Sequence, residues 1–452
     1  MDFMHIIFPL LAVFCGLIML CGKPAGAQTT LGGNLQNYNA FQTTGDHLLI
    51  AGRNRLRMEA NHSLSRGSIH INSDLYHRYS EREHDLELLL REAWIDVYFE
   101  NSDLRAGVQT VSFGRSASSF VTDILTPLDL RESLTQDFSD LRMGFVAANY
   151  IRYFGQNYLQ LIASPAFQPH RLPEADSRWF PEPDLPEFVP LNYTGQEARE
   201  GLRNLHSAAR FAWRSRSNLD LDLMLYYWSH PAPAYALELA IEPDLASSAF
   251  DLVESYQPSP MAGYSLAWRP GGGSWEITTE TLFVQRRLFT YLPVPVSQLE
   301  AAMDDPQLAI QLLPEFITEN DGFLAEKPWI HTMLGARYET RGWTFAAQGF
   351  LEYILNYDDE LLPQEFFPAI TTFAGRSFFR ERLDTMALGH YNIYAEDFWI
   401  QWQGGFEWSD DIEIAGGVNL FGGPDITPFY GHFTFNRYRP NSFLFLKLTA
   451  YF

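Results

Sequence analysis

The chain has 452 residues, a formal net charge of −23, 15% aromatic and 19% charged residues, and a mean hydropathy of −0.17. That hydropathy excludes a bundle of membrane helices, and the acidic balance excludes nucleic acid, whose phosphates require clustered Lys and Arg. The length fits two or three soluble domains or one large all-β domain.

The amino-terminal stretch MDFMHIIFPLLAVFCGLIMLCGKPAGAQTT carries an apolar run from Ile6 to Cys21, then Lys23, Pro24 and the small residues Ala25, Gly26 and Ala27. This pattern predicts a secretory signal over residues 1–27, with cleavage before Gln28 and a single domain over 28–452. No Lys or Arg precedes the apolar run, and a lipoprotein signal around Cys21 is the rival reading, weakened by Leu20 where a small residue is wanted. Both cysteines, Cys15 and Cys21, fall in this segment. The remainder therefore holds no thiol, which excludes a disulfide framework, a cysteine nucleophile and a cysteine metal site.

From Gln28 onward, period-two alternation recurs. In LLIAGRNRLRMEA, Ile50, Leu56, Met58 and Ala60 share one face, while Arg53, Arg55, Arg57 and Glu59 share the other. In NLDLDLMLYYW, Leu219, Leu221, Leu223 and Leu225 oppose Asp220, Asp222, Met224 and Tyr226. In DFWIQWQGGFEW, apolar side chains oppose Gln401, Gln403 and Glu407. Segments of about 10 residues with one apolar and one polar face are what a transmembrane β-barrel strand requires, and Trp and Tyr near strand ends suit interfacial girdles.

In chain order the expected strands are 31–42, 47–60, 67–79, 87–100, 103–113, 141–154, 157–164, 206–215, 219–229, 260–269, 274–288, 328–340, 343–357, 394–408, 412–421 and 442–452. Short turns at 101–103, 155–157, 215–218, 270–273, 341–342 and 409–411 alternate with long connections at 114–140, 165–204, 230–259, 290–327, 358–393 and 422–441. The expected fold is an all-β, antiparallel, up-and-down transmembrane barrel of about sixteen strands, with short periplasmic turns and long extracellular loops. The region 376–394 is weakly patterned, so fourteen to eighteen strands are compatible with the sequence. Barrel closure demands that the final strand, NSFLFLKLTAYF, pair with the first.

Two stretches carry a resemblance. LREAWIDVYFENSDLRAGVQTVSFGRSASSFVTDILTPLDLRE contains an L-R-E-A strand (Leu90 to Ala93), an R-x-G-x-Q strand (Arg105 to Gln109) and a D-x-x-x-P-x-D-L-R loop (Asp123 to Arg131). It resembles a porin-like family of uncharacterised outer-membrane proteins, similar in style to alginate-export-type barrels, with Phe113 where that pattern carries tryptophan. GVNLFGGPDITPFYGHFTFNRYRPNSFLFLKLTAYF resembles the same family's closing hairpin. Together they cover about a fifth of the chain. The resemblance implies a barrel in the bacterial outer membrane and a transport role, with no substrate attached. The terminal aromatic Phe452 resembles the signal read by the barrel-assembly machinery.

The alternation places Arg53, Arg55, Arg57, Asp74, Glu92, Asp96, Arg105, Gln109, Arg210, Arg214, Glu280, Arg337, Glu352 and Glu407 on the inner wall. An arginine ladder there would attract anionic solutes and set a transverse field. Equally, it would satisfy buried carboxylates such as Asp74, Glu92 and Asp96 in a structural network. The long segment after 113 could fold inward as a constriction, bringing Asp123, Asp129 and Arg131 to the permeant, or stay on the surface as Asp- and Pro-ordered turns. The acidic segments 237–258 and 296–326, partly helical by pattern, hold Glu238, Glu242, Asp244, Asp251 and Glu254. They would bridge lipopolysaccharide through divalent cations or form a solvated outer face.

No G-x-S-x-G or H-E-x-x-H motif occurs, and Gly271 to Gly273 sit in a turn rather than before a helix. The reading is a non-enzymatic porin for small hydrophilic solutes, with no cofactor and no metal. Its partners are outer-membrane lipid and lipopolysaccharide, the assembly machinery and the solutes, and an oligomer stays open. The alternatives are a plugged structural or adhesion barrel, or an exporter of a polymer or lipid.

Overall fold

The computed structural model describes residues 28–45, 47–79, 84–115, 120–174, 177–180, 191–194, 205–240, 249–294, 298, 301–302, 305, 307–308, 311–312, 314, 323–424 and 432–452. The expected signal segment 1–27 and most of 296–326 lie outside the described residues, as do Glu242 and Asp244.

Among the described residues there are twenty-one strands: β1 (Thr29–Gln42), β2 (Leu49–Leu64), β3 (Gly67–Tyr79), β4 (His84–Tyr98), β5 (Ser102–Gln109), β6 (Phe145–Phe154), β7 (Asn157–Ser164), β8 (Leu191–Thr194), β9 (His206–Arg214), β10 (Leu219–Ser229) and β11 (Ala234–Ala240). There follow β12 (Ala249–Ser255), β13 (Pro258–Trp268), β14 (Trp275–Thr290), β15 (Leu324–Thr340), β16 (Trp343–Ile354), β17 (Phe366–Phe378), β18 (Leu383–Asn392), β19 (Asp397–Ser409), β20 (Ile412–Gly422) and β21 (Phe443–Tyr451). Eighteen form one antiparallel sheet in which each pairs with the next, while β8, β11 and β12 form a separate three-stranded sheet.

Closure comes from β21 on β1, with Tyr451 opposite Asn34 and Phe443 opposite Gln42. Gly33 and Phe452 exchange backbone hydrogen bonds at 3.0 and 3.1 Å. Glycine is required here: a Cβ at Gly33 would stand 2.9 Å from the Phe452 ring and 2.1 Å from the Arg57 carbonyl oxygen. The ring thereby closes without a free edge, the condition for crossing a membrane with strands.

The ring holds eighteen strands because β17 and β18 occupy a segment expected to be mostly loop. Neither strand alternates cleanly. The ladder puts Phe367 and Phe373 on the inner face of β17, and Met386 and Leu388 on that of β18. Their turn has no Gly, Asn or Pro, and instead puts Phe379, Arg380 and Glu381 at positive φ. Of the two acidic stretches expected to be partly helical, 237–258 is largely strand where it is described, in β11 and β12, whereas described residues 298, 301–302, 307–308, 311–312 and 314 of the second are helical.

The exterior is a belt of exposed apolar side chains, among them Leu35, Leu86, Leu225, Leu334, Ile400, Leu446 and Leu448. Exposed aromatics mark its short-turn margin at Tyr98, Phe154, Trp213, Trp268, Trp275 and Trp408. Two buried clusters fill the interior. One joins Phe113, Val121, Ile124 and Leu125 to side chains of β6, β10, β14 and β15; the other joins Leu134 and Trp179 to β1, β19, β20 and β21.

Candidate functional site: the bridged lumen

The segment 110–144 connects β5 to β6, and its described residues, 110–115 and 120–144, lie inside the ring. Every residue from Val121 to Asp129 is buried. One end of it meets the β10–β14 wall. Arg115 pairs with Asp220 (3.6 Å) and Asp222 (3.4 Å), its backbone N–H donates to Glu280, and the Thr122 hydroxyl donates to Glu280 at 2.9 Å. Tyr226 donates to the Thr122 carbonyl at 2.8 Å. The other end meets β2 and β21. Arg53 donates to Glu132, to the Thr135 hydroxyl and to the Thr135 carbonyl, each at 2.7 Å. Arg55 pairs with Asp140 at 2.5 Å, Arg57 reaches the same carboxylate at 3.0 Å, and Lys447 pairs with Asp137 at 2.8 Å. β2 and β14 stand nine strands apart on the eighteen-strand ring, so the segment crosses the lumen along a diameter.

The residues of the D-x-x-x-P-x-D-L-R stretch build this bridge. Asp123 accepts the Phe113 N–H and the Ser112 hydroxyl, each at 3.0 Å, and pairs with Arg142 at 2.6 Å. Burial dominates there and raises its carboxyl above the usual range despite Arg142. Asp129 pairs with Arg131 at 2.6 Å; Arg131 also reaches Glu87 at 2.8 Å. Asp140 is the reverse case. Burial opposes its ionisation, but the guanidinium charges of Arg55 and Arg57 prevail and hold it at about 2.

Arg53, Arg55 and Arg57 all face the lumen, and each has a carboxylate partner. Asp74 is completely buried between Arg57 (2.7 Å) and Arg91 (3.3 Å). Elsewhere Asp96 holds Arg105 in a bidentate pair at 2.8 and 2.9 Å. Glu92 accepts from the Thr110 N–H (2.9 Å) and hydroxyl (2.6 Å). Gln109 donates to the Ala147 carbonyl at 2.8 Å. Arg210 and Arg214 converge on Asp222 at 2.8 and 2.6 Å. Glu352 lies 3.7 Å from Arg287 and 3.9 Å from His432. Arg337 pairs with its neighbour Glu339 near the short-turn side, and Glu407 is exposed opposite Glu413. These last two stand apart from the bridge.

Several anchors escape the alternation argument. Arg91 sits at a bulge where Asn72 opposes Glu92 and Ser73 opposes Leu90, so it is the extra residue of its strand. From there it donates to the backbone of Asp140 (3.1 Å) and Arg142 (2.8 Å). Arg78 and Arg171 both pair with Glu87 at 2.6 Å. Beyond Arg171, Trp179 packs on Tyr438 and Phe443 at 6.2 Å and its carbonyl accepts from the Tyr438 hydroxyl, so the connection after β7 also crosses to the β21 side. Only the acidic residues within 110–144, needing cationic partners if buried, hinted at these contacts.

Between segment 134–140 and the wall of β19, β20, β21 and β1 to β3 lies a narrow polar cleft. Gln36, Gln401, Gln403 and Asn419 line it from the wall and Gln136 from the bridge, beside Tyr38 and Phe445. Its free space is ≈ 20 Å³, about one water molecule.

No family model matches the sequence, and no curated protein matches it. Solved structures do match in fold. OccAB3 of Acinetobacter baumannii has a TM-score of 0.52 at 6% identity, with 95% of this chain and 100% of that one covered. OccK5 (OpdH) of Pseudomonas aeruginosa has 0.50 at 7%, covering 96% and 99%. The outer membrane protein OpdK of Pseudomonas aeruginosa has 0.50 at 8%, covering 95% and 99%. The chain shares the fold of these proteins along nearly its whole length.

Proposed function

We propose that the protein is a channel of the bacterial outer membrane that passes small hydrophilic solutes by diffusion. A closed ring with an apolar belt outside and paired charges inside has the surface chemistry of a membrane barrel. The fold it shares with an outer membrane protein supports that location. The observation that carries the channel reading is the bridge at residues 110–144, tied to opposite walls and leaving a polar cleft on one side. A bridge of this kind sets the width and chemistry of a passage rather than closing the whole bore. In this reading the inner-wall charges act chiefly by fixing the bridge, so Arg53, Arg55 and Arg57 shape the passage through Glu132 and Asp140. Outer-membrane lipid and lipopolysaccharide surround the belt, and Phe452 serves the assembly machinery.

The narrowness of the cleft favours one second reading, a plugged barrel that presents its long connections outside. Export of a polymer, suggested by the likeness of Leu90 to Ala93 and Asp123 to Arg131 to alginate-export-type barrels, would need a wider bore. Single-channel recording of the refolded protein in planar bilayers separates these. Stable unitary steps support the channel. A heat-modifiable, correctly folded barrel without conductance leaves the plugged reading.

A further inference from the structure

We infer that the outer face of β1, β2 and β3 is an interface at which copies of this chain meet in the membrane, held by neutral hydrogen-bonding side chains. The inference rests on the barrel spanning a membrane and not on whether its lumen conducts. It starts from a break in the apolar belt.

Leu35 is exposed on the outer face of β1, and the alternation puts Asn37 and Asn39 on the same face. Their ladder partners Asn54 and Gly52 of β2, and beyond them His77 and Tyr79 of β3, share it. Apolar side chains surround this polar group. Leu448 and Leu446 of β21 stand opposite Asn37 and Asn39, and Leu86 of β4 stands opposite His77; all three leucines are exposed. Leu35 and Phe41, also exposed, bracket the asparagines along β1. The group is a connected network. Asn37 donates to Asn54 (2.8 Å) and to the Tyr79 hydroxyl (3.1 Å). Asn39 donates to Asn37 (2.7 Å), and the Tyr79 hydroxyl donates to Asn39 (2.9 Å). Gly52 makes room for it: a Cβ there would stand 2.3 Å from the Tyr79 ring, which crosses β2 to reach the asparagines.

Two features point to a second copy rather than to lipid. First, the network is not closed. Asn54 donates to Nδ1 of His77 at 3.3 Å, which leaves the ring proton on Nε2, and Nε2 has no hydrogen-bond partner among the described residues. His77 is exposed, and its ring lies 6.4 Å from that of His84, also exposed. Hydrocarbon offers such groups no partner, and a polar group left facing it is costly. Second, the face carries no formal charge. Among the described residues, no Lys, Arg, Asp or Glu shares the outward register of β1 to β4. The face therefore lacks the cations that a lipid phosphate recruits. Amide and imidazole groups both donate and accept, so this face is complementary to itself. Copies inserted in one orientation share a symmetry axis along the membrane normal, which brings the same face of each copy together. Polar side chains then pair across the contact instead of facing lipid.

The test is cysteine cross-linking of the full chain in outer-membrane vesicles, oxidised with copper–phenanthroline. Leu35→Cys lies at the margin of the proposed interface, and Thr372→Cys lies on the outer face of β17, across the barrel. The expected result is a band at twice the monomer mass for Leu35→Cys and none for Thr372→Cys. Adding Asn37→Leu, Asn39→Leu, Asn54→Leu and His77→Leu to Leu35→Cys should abolish that band while the barrel stays heat-modifiable. No band from Leu35→Cys, equal bands from both cysteines, or a band that survives the four leucines would overturn the inference. Where the four-leucine variant does not fold, the comparison of the two cysteines decides alone. Conductance enters neither readout, so failure of the channel reading leaves this test standing.

Discussion

At the residue scale, the interior is governed by paired charge in a confined space. Asp74 has no exposure and accepts from Arg57, Arg91 and the Tyr76 hydroxyl (3.1 Å). Asp74→Ala would leave Arg57 with Asp140 alone and Arg91 with backbone carbonyls only, and should destabilise the barrel by about 3 kcal/mol. The check is the midpoint of urea unfolding at unchanged slope; a shift under about 1 kcal/mol would contradict a buried network. Asp140 gives a pH dependence of definite sign. Its carboxyl is held at about 2 by Arg55 and Arg57, below its ordinary value. The anchoring it provides is therefore complete above about pH 4 and is lost as pH falls from there toward 2. Asp123, raised by burial, works oppositely and favours the folded bridge as pH drops. Because Asp140 secures the free flank of the bridge, current fluctuations should grow below about pH 4 and vanish on return to neutrality. Asp140→Asn should show the same fluctuations at neutral pH.

At the scale of elements, the two faces of each strand answer to different solvents. Leu446 points outward from β21 and is 57% exposed, whereas Lys447 beside it points to the lumen. Leu446→Lys should cost about 2–4 kcal/mol in lipid, while Gln401→Lys on the inner face should cost far less. Unfolding from vesicles of both variants measures the difference. The same duality decides what was legible in the sequence. Strands with a polar lumen face, such as β2 and β10, could be read from alternation alone. β17 and β18 could not, because their inner faces carry Phe367, Phe373, Met386 and Leu388, and an apolar inner face erases the period-two signal. Their place in the ring is checkable by single cysteines, as the chain has none after Cys21. Ser377→Cys, exposed on the inner face of β17, should react with a charged thiol reagent from the lumen side, and Ile370→Cys on the outer face should not. The inner-wall residues were legible for the same reason as β2, whereas Arg91, at a bulge, and the pairing of Arg53 with Glu132 were not. Pairing across the lumen depends on how a connection folds, and no local pattern encodes it.

At the scale of the whole molecule, the bridge is a strut with two feet, and its behaviour should be non-additive. The β2 foot consists of Arg53, Arg55 and Arg57; the opposite foot consists of Glu280 of β14 with Asp222 and Tyr226 of β10. Releasing one foot leaves the other to confine the segment, since residues 121–129 remain packed among Phe113, Tyr226 and Leu282. Releasing both removes the confinement. Arg53→Ala with Arg55→Ala therefore enlarges the cleft locally, because that foot borders it, and should raise conductance about twofold. Glu280→Ala alone, remote from the cleft, should change conductance little. The combined variant should exceed the sum of the two changes and show wide, unstable current levels, as expected when coupled sites share one element. Unitary conductance of the four proteins under one salt condition measures this. Equal conductance throughout would mean that the bridge does not set the width of the path, and additive changes would mean that its two feet are independent segments rather than one strut.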